Sequence, residues 1–269
     1  MKKISIITVC YNAENTIVDT ILSVKNQYYK NIEHIIIDGA SSDQTINLIK
    51  QYQHANLKWF SKKDKGIYDA MNKGIDAASG EIITFLNADD CYIKADVLNL
   101  VSEAFEDRID YLYGNLFFID ANTYRVKRTW HDRQRPASDF IRWAWQPAFP
   151  AVFFNCKIFE DNHIRFKSDY RISGDYDFLL RLHHQKNLHI RYLDSFMVYM
   201  RLGGASTDGW KAVFLANIEV FKALKYVGFN APASLCKVFM KLTRKLFQLH
   251  LFSSVKKSPV RFFWRSHVA

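Results

Sequence analysis

The chain has 269 residues, 49% of them hydrophobic and 15% aromatic, so it can bury one large core and still carry an aromatic binding surface. Its four cysteines, Cys10, Cys91, Cys156 and Cys236, form no CxxC pair. That argues against structural zinc and a disulfide framework and for a reducing cytosol; no stretch reaches the roughly eighteen apolar residues of a membrane span, and the opening Met-Lys-Lys runs into a strand too soon for a secretory signal. The net charge of +10 is uneven: from Trp210 onward there are eleven Lys and Arg against one acid, Glu219, while the preceding residues balance, which predicts a catalytic or binding body and a basic tail with an anionic partner.

In chain order, Ile4 to Val9 has strand composition, followed by a turn over Cys10 to Asn15 and a helix carrying Ile17, Ile21, Leu22 and Val24. Ile32 to Ile37 is a second strand that ends at Asp38-Gly39. Ser41-Ser42-Asp43 offers a cap for a helix with Ile46, Leu48 and Ile49. Leu57 to Phe60 is a short third strand, Lys62 to Gly66 a charged loop, and Ile67 to Ala78 a helix stopped by Gly80. Ile82 to Leu86 then climbs into Asn87-Ala88-Asp89-Asp90, ahead of a helix over Ala95 to Phe105. Strands alternating with helices at this spacing predict a parallel α/β sheet. Ligands bind outside the carboxyl ends of such strands, which gathers Tyr11, Asp38, the Lys65 loop and Asp89 around one crevice.

After Asp110 the rhythm changes. Tyr111 to Ile119 and Tyr124 to Trp130 read as strands around a turn at Asp120 to Asn122, and Phe149 to Asn155 is another apolar run. Ile172 to His183 holds Gly174-Asp175 and a helix, Leu188 to Met200 alternates between strand and core character, and Gly203-Gly204 breaks the chain. In the tail, Leu235, Val238, Phe239, Leu242, Leu246 and Leu249 fall on one helix face, and Lys237, Lys241, Arg244, Lys245 and Gln248 on the other. Val260-Arg261-Phe262-Phe263-Trp264-Arg265 mixes aromatics with arginines. Both suit an anionic membrane surface; a helix packed on the body with a solvated basic face fits the same pattern. Nucleic acid is the weaker partner, because no recognised motif for it accompanies the charge.

The adjacent carboxylates Asp89 and Asp90 repel each other unless something positive sits between them. A divalent cation carrying phosphate meets that need, since Mg2+ and Mn2+ take hard oxygen ligands and share them with substrate phosphates; a solvated turn or helix cap is the plainer alternative. GxGxxG and the P-loop pattern are both absent, which excludes the usual dinucleotide and P-loop fingerprints. A nucleotide can still be held. Tyr11 can stack on a base, Asp38 can accept from a base imide or a ribose hydroxyl, and Asp90 could reach a diphosphate through a metal. Asp175 could serve as a general base or cap its own helix.

Thr8 to Asn12, Asp38 to Asp43, Asp64-Lys65-Gly66-Ile67-Tyr68-Asp69-Ala70-Met71-Asn72-Lys73-Gly74, Phe85 to Asp90, and Gly174 to Asp177 occur in an order that resembles family 2 glycosyltransferases of the GT-A fold, of the kind that build bacterial surface polysaccharides. The resemblance covers about residues 3 to 207. It implies a Rossmann-like, mostly parallel sheet flanked by helices, with a GT-A domain over 1–207 (nucleotide-binding half 1–109, acceptor-binding half 110–207) and a basic helical extension over 208–269. It implies that Thr8, Cys10, Tyr11, Asp38, Lys65, Asp69, Asn72, Asn87 and Asp89 surround the nucleotide-sugar, most often a UDP-sugar, that Asp90 ligates Mn2+ or Mg2+, and that Asp175 is the base of an inverting transfer to a glycan or lipid-linked acceptor. The expected products are O-antigen, capsule or exopolysaccharide, and the expected place is the cytoplasmic face of the membrane, held by the 210–269 tail. Two departures stand out. Asn87 occupies a position that is Asp in many relatives, and Phe149-Pro150 stands where many carry a His before the Ala151-Val152-Phe153-Phe154 run. Nearby Trp143, Trp145 and Phe149 can face a sugar or fill the core. A non-catalytic membrane- or nucleic-acid-binding protein on the same scaffold, and a nucleotidyltransferase, are the alternative readings.

Overall fold

The structure is a computed structural model that describes residues 1–160, 164–185, 187–203, 209–250, 260 and 262–264; at 209–210 and 242–250 it describes the helix but not the side-chain surroundings. The first half follows the apolar periodicity closely. β1 (Ile4–Cys10), β2 (Ile32–Asp38) and β4 (Ile82–Phe85) are buried along their whole length, as continuous apolar runs require, and β3 (Leu57–Ser61) is the more exposed outer strand. α1 (Ile17–Lys25), α2 (Thr45–Gln51) and α3 (Ile67–Ala77) are the crossovers. All three pairings in this half are parallel, in the order β3-β2-β1-β4. The chain moves from β1 outward to β3 and returns on the other side of β1, so the switch point lies between β1 and β4.

The second half is mixed rather than parallel. It comprises β5 (Cys91–Tyr92), α4 (Val97–Ala104), β6 (Tyr111–Ile119), β7 (Val126–Trp130), α5 (Ser138–Trp143), β8 (Val152–Asn155), α6 (Lys157–Glu160), α7 (Gly174–Gln185) and β9 (Ile190–Arg201). β8 runs antiparallel to both β4 and β6, β9 runs parallel to β6, and β5 closes the path antiparallel to β9. Phe85, at the end of β4, packs against Phe149, Phe154, Phe159 and Phe166, and Phe166 packs on Phe178 of α7. Such ring pairs each add about 0.5–1.5 kcal/mol beyond the area they bury. The high aromatic content is therefore largely core, placed directly behind the loop that carries Asp89 and Asp90.

α8 (Gly209–Tyr226) and α9 (Ala231–His250) share that core: Val220, Ala223 and Leu224 are buried in the same cluster as Phe85 and Phe178, and Val238 packs against it. Of the apolar stripe on α9, Val238 is packed inward and two other described members are not. Leu235 and Phe239 are exposed, while Lys237 donates to the carbonyls of Ile141 and Arg142. Those carbonyls lie in the last turn of α5, where C=O groups lack helical partners and the helix dipole favours a cation. The aromatic cluster near the chain end also departs from the membrane expectation. Phe262 and Trp264 are buried with Leu22, Cys91 and Ile119, and the Trp264 indole donates to Asp19; large rings gain by leaving water. The expected boundary between 207 and 208 falls at the undescribed 204–208; Lys256, Lys257, Arg261 and Arg265, and the side chains of Leu242, Arg244, Lys245, Leu246, Gln248 and Leu249, also lie outside what is described.

Candidate active site

The loops after β1, β2, β3 and β4 meet at the carboxyl edge of the parallel strands. After β1 the chain turns at Asn12 (φ 51°), a left-handed conformation that Asn tolerates better than most side chains. This turn is laced to the loop before α2: Asn12 N–H donates to Ser41 Oγ at 2.8 Å, Ser42 N–H to Asn12 Oδ1 at 2.9 Å, and Ala13 N–H to Thr45 Oγ1 at 2.7 Å. The ring of Tyr11 is left 66% exposed. Gly39 permits a close approach here, since a Cβ would stand 2.7 Å from the Asp64 carboxylate and 3.5 Å from Tyr11.

Five of the expected nucleotide contacts, Asp38, Thr8, Cys10, Asp69 and Asn72, are engaged within the protein. Asp38 is fully buried and accepts from Ser41 N–H (3.0 Å), Ser41 Oγ and Ser61 Oγ (2.7 Å), so its carboxylate builds the turn. Thr8 is fully buried with Oγ1 2.9 Å from His34 Nε2. Cys10 lies 3.5 Å from Asp38 Oδ1, and burial, then that carboxylate, push its thiol far above the usual range, which keeps it protonated and inert. In α3, Asp69 accepts from Lys65 N–H (3.1 Å) and pairs with Lys73 (2.9 Å); the Lys73 hydrogen bond, then the Lys65 N–H, hold it below the usual carboxylate range. Asn72 is bonded at both ends of its amide to the Phe166 backbone (2.8 and 3.0 Å), which makes it a strut between α3 and the 166 segment.

The loop after β4 is held from outside. Thr20 of α1 sets its hydroxyl 2.7 Å from the Asp90 carbonyl and 3.0 Å from the Ala88 carbonyl. Arg201, buried at the end of β9, donates to the Asp89 carbonyl (3.2 Å) and pairs with Asp19. Within this frame Asp90 is 1% exposed. Burial, and then Asp89, push its carboxyl well above the usual range against the pull of Arg201; burial raises Asp89 as well. Asn87 Nδ2 reaches Asp90 Oδ2 at 3.4 Å, but Asp90 Oδ1 and Asn87 Oδ1 are buried and accept no hydrogen bond. A buried acceptor without a donor costs about 1–3 kcal/mol. Both are hard oxygens on one loop, of the kind that could hold a divalent cation. Among the described residues no three His, Cys, Asp or Glu gather as a complete metal cage, so a cation here needs oxygens from a ligand.

Asp175 lies in the first turn of α7, half-buried, with Oδ1 accepting from Tyr176 N–H at 2.8 Å. Burial raises its pKa, and the nearby Lys241 of α9 draws it back down. Tyr68 of α3 donates to the Ile172 carbonyl at 2.7 Å, and Gly174 lies so close to the Tyr68 ring that a Cβ there would be 2.6 Å from it. The Asp64–Gly74 block and the Asp175 loop thus form one unit. Trp145 and Phe149 are core, whereas Trp143 is 47% exposed. A cavity of about 510 Å3 bounded by Arg108, Gln134, Leu188 and Arg191 lies at the amino ends of β6 and β9, on the opposite edge of the sheet; Arg108 and Arg191 both pair with Glu106. Thr20, Arg201, Glu219 and Lys241 were not foreseen. Each acts through a partner remote in sequence, and the one available signal was Glu219, a single acid in a basic tail.

Four parallel strands, a mixed second half and a carboxylate loop at the switch point make up a fold of the GT-A type. Residues 5–168 match the family described as Glycosyl transferase family 2, and the chain belongs to that family. It is 35% identical over 121 residues to WfgD of Escherichia coli, named as a UDP-Glc:alpha-D-GlcNAc-diphosphoundecaprenol beta-1,3-glucosyltransferase; the match covers 45% of this chain and 48% of WfgD. The chain therefore spans about half the length of that relative. Among solved structures it superposes on Staphylococcus aureus TarS 1–349 in complex with UDP-GlcNAc (TM-score 0.62, 20% identity, 91% of this chain and 73% of that one). It also superposes on the mannosyltransferase PcManGT of Pyrobaculum calidifontis in complex with GDP-Man and Mn2+ (TM-score 0.63, 15% identity, 94% and 73%). At these identities the two structures speak for the fold alone.

Proposed function

We propose that this protein is an inverting, metal-dependent glycosyltransferase that moves a sugar from a UDP-sugar to a lipid-linked or oligosaccharide acceptor in bacterial surface-polysaccharide synthesis. The observation that carries the reading is the pair of buried, unbonded oxygens on Asn87 and Asp90 at the switch point. The exposed Tyr11 ring offers a face for the base. Asp38 and Asn72 act by shaping the loops that receive the nucleotide, and Asp89 and Lys65 line its path. Mn2+ or Mg2+ held by Asp90, with Asn87 beside it, would neutralise the charge that grows on the departing diphosphate. In the transfer, the Asp175 carboxylate takes the proton of an acceptor hydroxyl. The acceptor oxygen forms a bond to the anomeric carbon while the bond from that carbon to the diphosphate oxygen breaks, and UDP leaves with the electron pair from the opposite face. One displacement of this kind inverts the configuration.

The test is UDP release from UDP-glucose and from a panel of UDP-, GDP- and dTDP-sugars, with Mn2+ or EDTA, in wild type and Asp175→Asn. We expect one donor to turn over with metal alone and the variant to lose roughly 100-fold or more. Full turnover in Asp175→Asn would remove Asp175 from the base role.

A peripheral membrane position at the cytoplasmic face belongs to the same proposal. No helix among the described residues is long and apolar enough to cross a membrane. Phe214 and Ile218 of α8 and Leu235 and Phe239 of α9 are exposed, with Lys211 and Lys225 nearby in sequence and also exposed. Apolar side chains beside lysines suit the surface of an anionic bilayer.

A further inference from the structure

We infer that Glu219, in the helical extension beyond the matched family region, is a positioning residue for Asp175. This rests on the transferase reading with Asp175 as base. The peptide groups just ahead of α7 are held from two sides. From α8, the Glu219 carboxylate accepts three backbone N–H groups in a row: Arg171 (2.8 Å, Oε1), Ile172 (3.0 Å, Oε2) and Ser173 (2.7 Å, Oε2). Ser173 Oγ adds a bond to the Ala216 carbonyl at 3.1 Å. From α3, Tyr68 holds the Ile172 carbonyl. These three N–H groups lead into α7, which begins at Gly174, and such groups are ordinarily satisfied by a side chain of the same segment. Here the cap comes from a helix some 46 residues further on, and the capping carboxylate is 6% exposed.

A buried carboxylate with three N–H donors is a rigid device, because charge-assisted bonds are roughly twice as strong as neutral ones and the low local dielectric stiffens them. It lies at the positive end of α7, where the helix dipole adds to its hold. The residue it places is two positions beyond its last bond. A base displaced by about 1 Å loses on the order of 100-fold in rate while the nucleotide, held by other loops, binds as before. Among the described residues, Lys241 from α9, Glu219 from α8 and Tyr68 from α3 interact electrostatically with Asp175. Lys241 also lies 4.4 Å from the Tyr176 ring centroid. Lys241 and Glu219 oppose each other electrostatically at Asp175, so the two helices of the extension bias both the place and the charge of the base.

The experiment measures UDP release from UDP-glucose with Mn2+, UDP affinity by titration, and the acidic limb of the kcat/KM pH profile, in wild type, Asp175→Asn, Glu219→Gln, Lys241→Met and Lys241→Arg. We expect kcat to fall about tenfold in Glu219→Gln with UDP affinity within about twofold of wild type. Removing the Glu219 charge lowers the base pKa and moves the acidic limb down, whereas Lys241→Met moves it up and Lys241→Arg restores it. A loosened fold alone would shift neither limb in these opposite senses. Wild-type kcat in Glu219→Gln together with a dead Asp175→Asn would overturn the positioning role and leave the base reading intact; an active Asp175→Asn would overturn the base reading itself. Amide exchange on the wild-type protein needs no variant and no turnover: the Arg171, Ile172 and Ser173 amides are expected to be protected, and fast exchange at all three would sink the proposal.

Discussion

Glu33 and Asp90 are both buried carboxylates, and their opposite treatment separates structure from function at the residue scale. Burial works to raise Glu33, but the Ser5 hydroxyl, the Ser79 N–H and hydroxyl and Lys3 outweigh it and hold its pKa at about 2. Its side chain is 3% exposed and ties β1, β2 and the turn before β4 together. A depressed folded pKa gives stability that is present above the ordinary carboxylate range and lost as pH falls through about 2. Glu33→Gln is therefore expected to cost about 2 kcal/mol at pH 7, with the gap from wild type closing between about pH 4.5 and pH 2 in urea melts. Asp90 has the reverse balance. Its raised pKa means that its charge opposes the metal-free fold, so Asp90→Asn is expected to raise Tm in EDTA by a few degrees while Mn2+-dependent turnover falls about 100-fold. A variant that melts lower in EDTA would contradict the idea that Asp90 is strained in the absence of its ligand.

At the element scale, α3 shows how a glycine can outrank helix propensity. Gly74 faces β1, and a Cβ there would stand 2.3 Å from Cγ2 of the buried Ile7. Alanine would gain about 1 kcal/mol of helix propensity, but an overpacked β-branched neighbour in a strand costs about 1–3 kcal/mol. Gly74→Ala is expected to lower stability by about 1–2 kcal/mol in chemical denaturation; a gain would show that α3 can retreat from the sheet. β1, β2, β4 and α1 to α3 are legible because burial on both faces writes an apolar run and a crossover writes a 3.6-residue period. β5 was not, since two residues have no period and Cys91–Tyr92 is a strand only through pairing with Val198 and Tyr199. The hydrogen-bond partners of the expected site residues are not written in the sequence. Asp38 was read as a nucleotide ligand and is bonded to two serines, and the side of α9 that docks was read from its apolar stripe although two bare α5 carbonyls attract Lys237. Partner choice is tertiary and leaves no spacing in the chain.

For the whole molecule, α8 and the first part of α9 belong to the body. A chain ending at residue 208 would uncover Val220's and Leu224's places in the core and remove the Glu219 cap, so it is expected to aggregate or to melt well below wild type. Membrane attachment must for that reason be tested by point substitution. The pair Leu235→Ser and Phe239→Ser lies on exposed positions. We expect the double variant to keep its Tm and to lose binding to phosphatidylglycerol vesicles, with little binding of either protein to phosphatidylcholine; unchanged sedimentation would end the membrane assignment.

The pairing of β5 with β9 also sets an order in time. The four parallel strands lie within the first 85 residues and can pair as soon as that much chain is available, whereas the strand that anchors the Asp90 loop waits for residues more than 100 positions further on. Contacts this distant in sequence carry the largest loop-closure cost and form late. The nucleotide cradle is thus expected to exist as a folded, metal-incompetent intermediate before the reaction centre closes. In pulse-labelled refolding, amides of Ile6 and Ile35 should gain protection ahead of that of Ile93, which donates to the Met197 carbonyl of β9, and simultaneous protection would mean that the sheet forms in one cooperative step.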